Sequence, residues 1–308
     1  MSRLHDALDD YLSVRRAMGY KLMRTGGLLA QFITYLEDLG AETITIEHAI
    51  GWATLPSQSS LDWQAQRLSV VRGFASWMSA LDPATEVPPT DVLPRRTHRP
   101  TPYLYSENDI AALLAACEVL QPARRAATYR TLVGLLAVTG MRIGEAIRLD
   151  RSDVDVVAGL LLVRSTKFGK DRYLPLHPTT VDALNGYLVW CDRHFPTPRT
   201  GAVFTSIRGT RLRYNNARDT FNALTQHAGL RPRSASCKPT LHGLRHSFAV
   251  QTLLEGYRTG ADVQARLPLL STYLGHVCPS DTYWYLSAAP ELLTLASQRL
   301  EHPREAGR

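Results

Sequence analysis

Apolar residues recur along the first eighty positions with the spacing of helices. Leu4, Leu8, Tyr11 and Leu12 share one helical face, as do Leu28, Leu29, Phe32, Tyr35 and Leu36. The pattern predicts a third, short helix over Ile46–Ala53. A fourth is expected from Leu61 to Leu81, with Leu68, Val71, Phe74, Ala75 and Met78 on its apolar side. The texture then changes. Residues 83–102 hold six prolines, which remove backbone donors and bar helix, so an extended linker is expected. Beyond it, Ser106-Glu107-Asn108-Asp109 has the form of a helix N-terminus. Helices are expected at about 107–119, 123–138 and 143–149. Two short runs, 159–165 and 172–176, read as strands flanking a turn over 166–171. Helical patterning resumes at about 178–194, 213–228, 242–256, 262–274 and 280–300, and no internal repeat is found. The expected architecture is mainly α with a small antiparallel β-sheet. It divides into a helical domain (1–82), a linker (83–102) and a second domain (103–308).

Charge sharpens this picture. The 308-residue chain carries a formal charge of +7. Residues 1–100 hold 10 basic and 11 acidic side chains, whereas residues 101–308 hold 25 and 17. The positive excess thus lies in the second part and favours a polyanionic partner. No apolar run reaches the ~18–20 residues that span a membrane. The N-terminal segment lacks an apolar signal core and is too acidic for a transit peptide. Cys117, Cys191, Cys237 and Cys278 are far apart, without a Cys-x-x-Cys pair. They propose neither a zinc ribbon nor a disulfide framework. A soluble, reduced, cytoplasmic protein with no cofactor is expected.

Four segments carry candidate chemistry. In TGMRIGEAIRL (139–149), Gly140 ends one helix and Arg142 begins the next. An arginine there offers a planar fork of donors to a phosphate, and Glu145, one turn on, can orient a basic neighbour. Lys167 and Lys170 are two of only four lysines in the chain and share the strand-joining turn. A lysine on such a tip can reach into a groove and deliver a proton. In LHGLRHSFA (241–249), His242 and Arg245 share a helical face. His246 lies four residues from His242, as in a metal pair, but neither a zincin glutamate nor a third ligand accompanies it. Finally, YLGHVCPSDTYWYL (273–286) places Gly275-His276 at a helix end, with Tyr283 and Tyr285 seven and nine residues after the histidine.

Together these segments resemble the tyrosine recombinase (phage integrase) family, most strongly over about 103–301. The order Arg, Lys, His-x-x-Arg, Gly-His, then Tyr is that family's signature. The resemblance implies that Tyr285 attacks a DNA phosphodiester and forms a 3′-phosphotyrosyl bond, freeing a 5′-hydroxyl. It implies Arg142 and Arg245 as clamps on the non-bridging oxygens, and Lys167 as the acid for the leaving oxygen. His242 would handle the tyrosine proton, His276 would hydrogen-bond the phosphate, and Glu145 would support the site. Such a set needs no metal, because two arginines supply the charge. Tyr285 is preferred to Tyr283 by its spacing from His276, and Lys167 to Lys170 because it precedes the turn glycine. The helical first domain fits the family's core-binding, DNA-binding domain.

One departure is visible. The segment between His-x-x-Arg and Gly-His is about six residues longer than in many members, as in recombinases of bacterial transposons and plasmids. Candidate DNA contacts are Arg95, Arg96 and Arg99 in the linker, with His98 beside them, Lys170 in the turn, and Arg208, Arg211, Arg213 and Arg218 around one helix start. The implied partners are double-stranded recombination sites and a tetrameric synaptic complex of this chain, with accessory recombinases as a further option and no membrane. The apolar face Leu292, Leu293, Leu295 and Leu300 would serve the protomer contact. Three rival readings remain open at this point: a type IB topoisomerase, a catalytically silent DNA-binding protein on the same fold, and a His-dependent metallohydrolase, whose activity chelators would abolish.

Overall fold

A computed structural model of the chain describes residues 3–55, 57–94, 101–164, 171–197, 199–276 and 282. The chain forms two compact units, Met1–Arg99 and Pro100–Arg308. No described helix is long and apolar enough to cross a membrane.

The first unit holds α1 (Arg3–Ala17), α2 (Met23–Asp38), α3 (Ile46–Thr54) and α4 (Leu61–Met78). Each helix buries the face its apolar spacing predicts. Leu29, Phe32, Ile33 and Leu36 of α2 meet Trp52 of α3 and Leu68, Val71 and Phe74 of α4 in one core. Side-chain caps set two of the starts. Thr45 Oγ1 accepts from the His48 amide at 3.1 Å, and Ser60 Oγ from the Trp63 amide at 3.3 Å. One charge is buried here. Arg67 donates to Trp52 O at 2.7 Å and lies 3.6 Å from the Trp52 ring centre; burial lowers its pKa. The start of the proline-rich segment is fastened to this unit rather than free. The Glu86 amide donates to Ile44 O (2.8 Å), and Arg72 Nε donates to Pro88 O (2.7 Å). Arg95, Arg96, His98 and Arg99 lie outside the described residues.

The second unit is mainly helical: α5 (Glu107–Ala116), α6 (Ala123–Thr139), α7 (Ile143–Ala146), α8 (Pro178–His194), α9 (Tyr214–His227), α10 (Leu241–Arg258) and α11 (Val263–Leu274). Three strands, β1 (Val154–Asp155), β2 (Leu160–Val163) and β3 (Arg172–Pro175), form an antiparallel sheet in that order. β1 was not foreseen, being too short to show alternation. The expected helix over 143–149 stops at Ala146: the Arg148 and Leu149 amides turn to Glu145 O and Ala146 O, three residues back (3.1 and 3.2 Å), and Ile147 O and Leu149 O accept from Arg211 Nη1 (3.0 and 3.3 Å). The helix expected over 107–119 ends at Ala116, followed by a 3₁₀ turn at Cys117–Val119. The helix expected over 280–300 falls outside the described residues, apart from helical Thr282.

The segment between α10 and α11 is a compact turn. Gly260 takes a left-handed φ of +72°, and the Ala261 amide donates back to Gly256 O at 3.0 Å. This closure ends α10 after Arg258 and satisfies one of its last carbonyls. Asp262 then caps α11 through the Ala265 amide at 3.1 Å.

Ser106 and Asp109 form a reciprocal capping box at the start of α5, with bonds of 3.1 and 2.9 Å. Replacing Ser106 with Ala is expected to lower the stability of the second unit by about 1 kcal/mol. A shift in its urea midpoint at unchanged slope is the measurement that checks this.

Candidate active site

The site is built where α6, α10, β3 and α11 come to one place. Gly140 ends α6 with φ +58°, and a Cβ there would come within 2.4 Å of the Phe248 ring. Only glycine fits that turn, which starts the chain towards Arg142. Thr240 caps α10 through the Gly243 amide at 3.1 Å, and Tyr105 Oη donates to Thr240 O at 3.0 Å. A Cβ on Gly243 would lie 2.8 Å from the Tyr105 ring and 2.9 Å from Tyr103 O. Close approach of the 103–105 segment therefore fixes the turn that carries His242 and Arg245. α11 ends at Gly275 (φ +69°), where the His276 amide donates to Ser271 O at 3.0 Å.

That helix end is held by three guanidinium groups on three consecutive carbonyls. Arg172 Nε donates to Tyr273 O at 3.0 Å, Arg245 Nη2 to Leu274 O at 2.9 Å, and Arg142 Nη2 to Gly275 O at 3.2 Å. Cations at a helix C-terminus are favoured by the macrodipole and by the last unpaired carbonyls. Arg245 is buried, and its Nη1 also donates to Gly140 O at 2.8 Å, tying the ends of α6 and α11 together.

Glu145 is buried among these cations. Its Oε1 accepts from Arg142 Nη1 (3.0 Å) and Arg172 Nη1 (3.2 Å). Its Oε2 accepts from the Arg142 amide (3.1 Å) and Arg172 Nη2 (2.8 Å). Burial alone would raise the carboxyl pKa, but Arg172 and then Arg142 outweigh it and hold the pKa below the usual range. Four accepted bonds fill the carboxylate's lone-pair sites. Glu145 is thus suited to holding arginines, not to taking a proton.

His242 keeps a solvent-exposed edge. Burial of the remainder and repulsion by Arg245 and Arg142 lower its pKa to about 4. Given that exposed edge, the two guanidinium charges are the firmer cause. The ring is neutral at pH 7, as a proton acceptor must be. His246 meets it edge-on, with ring centres 4.4 Å apart. Among the described residues, no three His, Cys, Asp or Glu side chains gather to hold a metal. His276 Nδ1 pairs with the buried Thr282 Oγ1 at 2.7 Å, which fixes the ring's orientation.

The structure therefore brings Arg142, Glu145, His242, Arg245 and His276 together. Lys167, Lys170, Tyr283 and Tyr285 lie outside the described residues. Around α9, Arg208 and Arg213 are exposed, and Arg218 pairs with its neighbour Asp219 at 2.9 Å. Arg211 is engaged within the fold, bridging the end of α7 to Asp150 at 2.6 Å.

Sequence reasoning missed three features. Arg172 is one. β-alternation could have found it, since it stands opposite Val163 in register with the buried pair Leu161–Leu174. Thr282 carries no pattern that marks it. The third is a basic group hidden by the net charge of the first hundred residues. Residues 11–36 contain Arg15, Arg16, Lys21 and Arg24 and no acid. Arg15 lies 4.6 Å from the Tyr20 ring centre, and Arg24 4.5 Å from that of Trp63.

Clustered guanidiniums beside a neutral histidine suit an enzyme that moves a phosphoryl group between oxygen atoms. Residues 104–291 match the phage integrase family. The putative integrase/recombinase y4rB of Sinorhizobium fredii is 42% identical over 98% of this chain and 98% of its own. The tyrosine recombinase XerC of Mycobacterium bovis is 30% identical over 99% of this chain and 100% of its own. Among solved structures, XerA recombinase is similar over 98% of this chain and 99% of its own, at 25% identity and a TM-score of 0.52. The Tn1549 transposon integrase, solved with transposon right-end DNA, shares the fold at 17% identity and a TM-score of 0.66, over 98% of this chain and 99% of its own. The chain belongs to the phage integrase family. It is a site-specific recombinase of the tyrosine type.

The low pKa of His242 has a sign that can be checked. A histidine depressed in the folded state stays neutral while the unfolded chain takes up a proton. Stability from this group is present above its unfolded pKa and declines as pH falls from about 6.5 towards the folded value of about 4. Urea midpoints at pH 7 and pH 5 should therefore differ less in His242→Gln than in the parent.

Proposed function

We propose that the chain cuts and rejoins double-stranded DNA through a 3′-phosphotyrosyl bond to Tyr285. The observation that carries this reading is the convergence of Arg142, Arg245, His242 and His276 at the end of α11, within the segment matching the family. In the forward step, the Tyr285 oxygen attacks the scissile phosphorus and its proton passes to neutral His242. The P–O5′ bond breaks, and Lys167 protonates the departing 5′-oxygen. Charge that gathers on the non-bridging oxygens is met by Arg142, Arg245 and His276. Glu145 holds Arg142 in place. The phosphotyrosine keeps the energy of the broken ester, so a 5′-hydroxyl from a second strand can reverse the step without a nucleotide cofactor.

Four protomers on two sites would complete the exchange, acting in the bacterial cytoplasm on nucleoid DNA, with accessory recombinases as further partners. Arg95, Arg96, Arg99, Lys170, Arg208, Arg213 and Arg218 are proposed as backbone contacts. The exposed Arg16, Lys21 and Arg24 of the first unit join them, supported by the acid-free stretch in which they lie. Arg211 is proposed as a contact only through the part of its side chain not spent on Asp150, Ile147 and Leu149.

A nicked duplex carrying the element end traps the covalent state, which a denaturing gel reads directly. The parent should form a protein–DNA adduct that Tyr285→Phe abolishes and Tyr283→Phe retains. An adduct lost only with Tyr283→Phe would move the nucleophile. Tight binding with no adduct from the parent would favour the silent-binder reading. Relaxation of supercoiled DNA with no joined product would favour a topoisomerase.

The backbone contacts predict a salt slope. Each of Arg16→Ala and Lys21→Ala should weaken binding to any duplex and reduce the slope of log K against log[salt] by about 1. Fluorescence anisotropy at several salt concentrations measures it.

A further inference from the structure

The geometry points to Arg172 as a positioning residue of the reaction. It holds Arg142 through Glu145 and holds the Tyr273–His276 helix end directly, so that the phosphate-facing groups are presented as one rigid set. This inference rests on the recombinase reading above.

Three observations carry it. Arg172 makes a two-pronged pair with Glu145 at 3.2 and 2.8 Å, while its Nε donates to Tyr273 O at 3.0 Å. One planar side chain thus clamps two otherwise separate parts of the site, which a lysine's single ammonium cannot reproduce. Second, Gly275 is shaped around it: a Cβ there would lie 2.8 Å from Arg172 Nη1 and 3.0 Å from its Cζ. The guanidinium therefore fills the space beside the residue whose carbonyl holds Arg142 and whose successor is His276. Third, charge must balance. Glu145 alone would neutralise Arg142 and leave little positive charge for a phosphate. A second guanidinium on the same carboxylate makes the trio net positive, so Arg142 remains attractive to an anion. The register of β3 supplies the side chain, placing Arg172 opposite Val163 with its side chain 13% exposed.

The test compares the parent with Arg172→Lys, which keeps the charge but loses the fork. Four quantities are read: duplex affinity, the single-turnover rate of adduct formation on the nicked duplex, thermal stability, and amide hydrogen exchange at Gly275 and His276. Affinity should stay within about threefold while the rate falls about tenfold or more, since displacing a positioned group costs the chemical step rather than binding. Exchange at the two amides should quicken. Combining Arg172→Lys with Glu145→Gln should lose far less than the product of the two single losses, because both act through one carboxylate.

A parental rate in Arg172→Lys would overturn the inference. So would losses that multiply in full with Glu145→Gln, or a rate loss that merely follows the folded fraction. If the parent itself forms no adduct, the recombinase reading fails. The amide exchange then still decides whether Arg172 holds the helix end, with unchanged exchange overturning it.

Discussion

The last carbonyls of α11 need donors, and three arginines supply them. Arg172, Arg245 and Arg142 bind Tyr273 O, Leu274 O and Gly275 O in turn. Each comes from a different part of the second unit: a strand, a long helix and the turn after α6. The end of one helix thereby becomes the point at which these elements agree on their positions. A misplaced β3 or α10 would leave buried carbonyls or guanidiniums without partners, a costlier state than the paired one. The same bonds that organise the fold also gather positive charge in one place, where the proposed function puts the DNA phosphate.

Electrostatics at this point is a matter of ratio. Two guanidiniums, Arg142 and Arg172, share one buried carboxylate, and burial together with the charges of Arg245 and Arg142 keeps His242 neutral. The excess charge is held by hydrogen bonds to backbone rather than by counter-charges. It is therefore oriented in the free protein and, under the proposed function, would need little rearrangement as phosphate charge develops. Arg245 illustrates the arrangement, being buried yet bonded to Gly140 O and Leu274 O. His276 is aimed in the same manner, by a bond to Thr282 rather than by packing alone.

Much of this was legible in one dimension. Apolar spacing located α1 to α4 because each helix buries a single stripe against its neighbours. The helix expected at about 178–194 matches α8, Pro178–His194. Arg142, Glu145, His242, Arg245 and His276 stood out because they lie in compact motifs at helix starts and ends. Errors occurred where tertiary partners override local pattern. Beyond α7 the carbonyls of Ile147 and Leu149 are taken up by Arg211, sixty-odd positions away, and β1 is a two-residue strand defined by its pairing with β2. Arg211 looked like a free basic contact and proved to be bonded to backbone and Asp150.

By itself, the sequence determined the helical character of both units, the division near the proline-rich segment, and the candidate chemistry, because these depend on periodicity, backbone restrictions and residue type. It could not show that Arg172 shares Glu145 with Arg142, that three arginines meet on one helix end, or that Thr282 orients His276. The arginine contacts are long-range pairings, with partners 27, 101 and 133 positions apart in the cases of Glu145–Arg172, Arg172–Tyr273 and Arg142–Gly275, while the Thr282–His276 bond spans six positions that no motif marks. Only tertiary structure decides them, because a buried donor chooses its acceptor by proximity after the core has closed, and no local pattern encodes that choice.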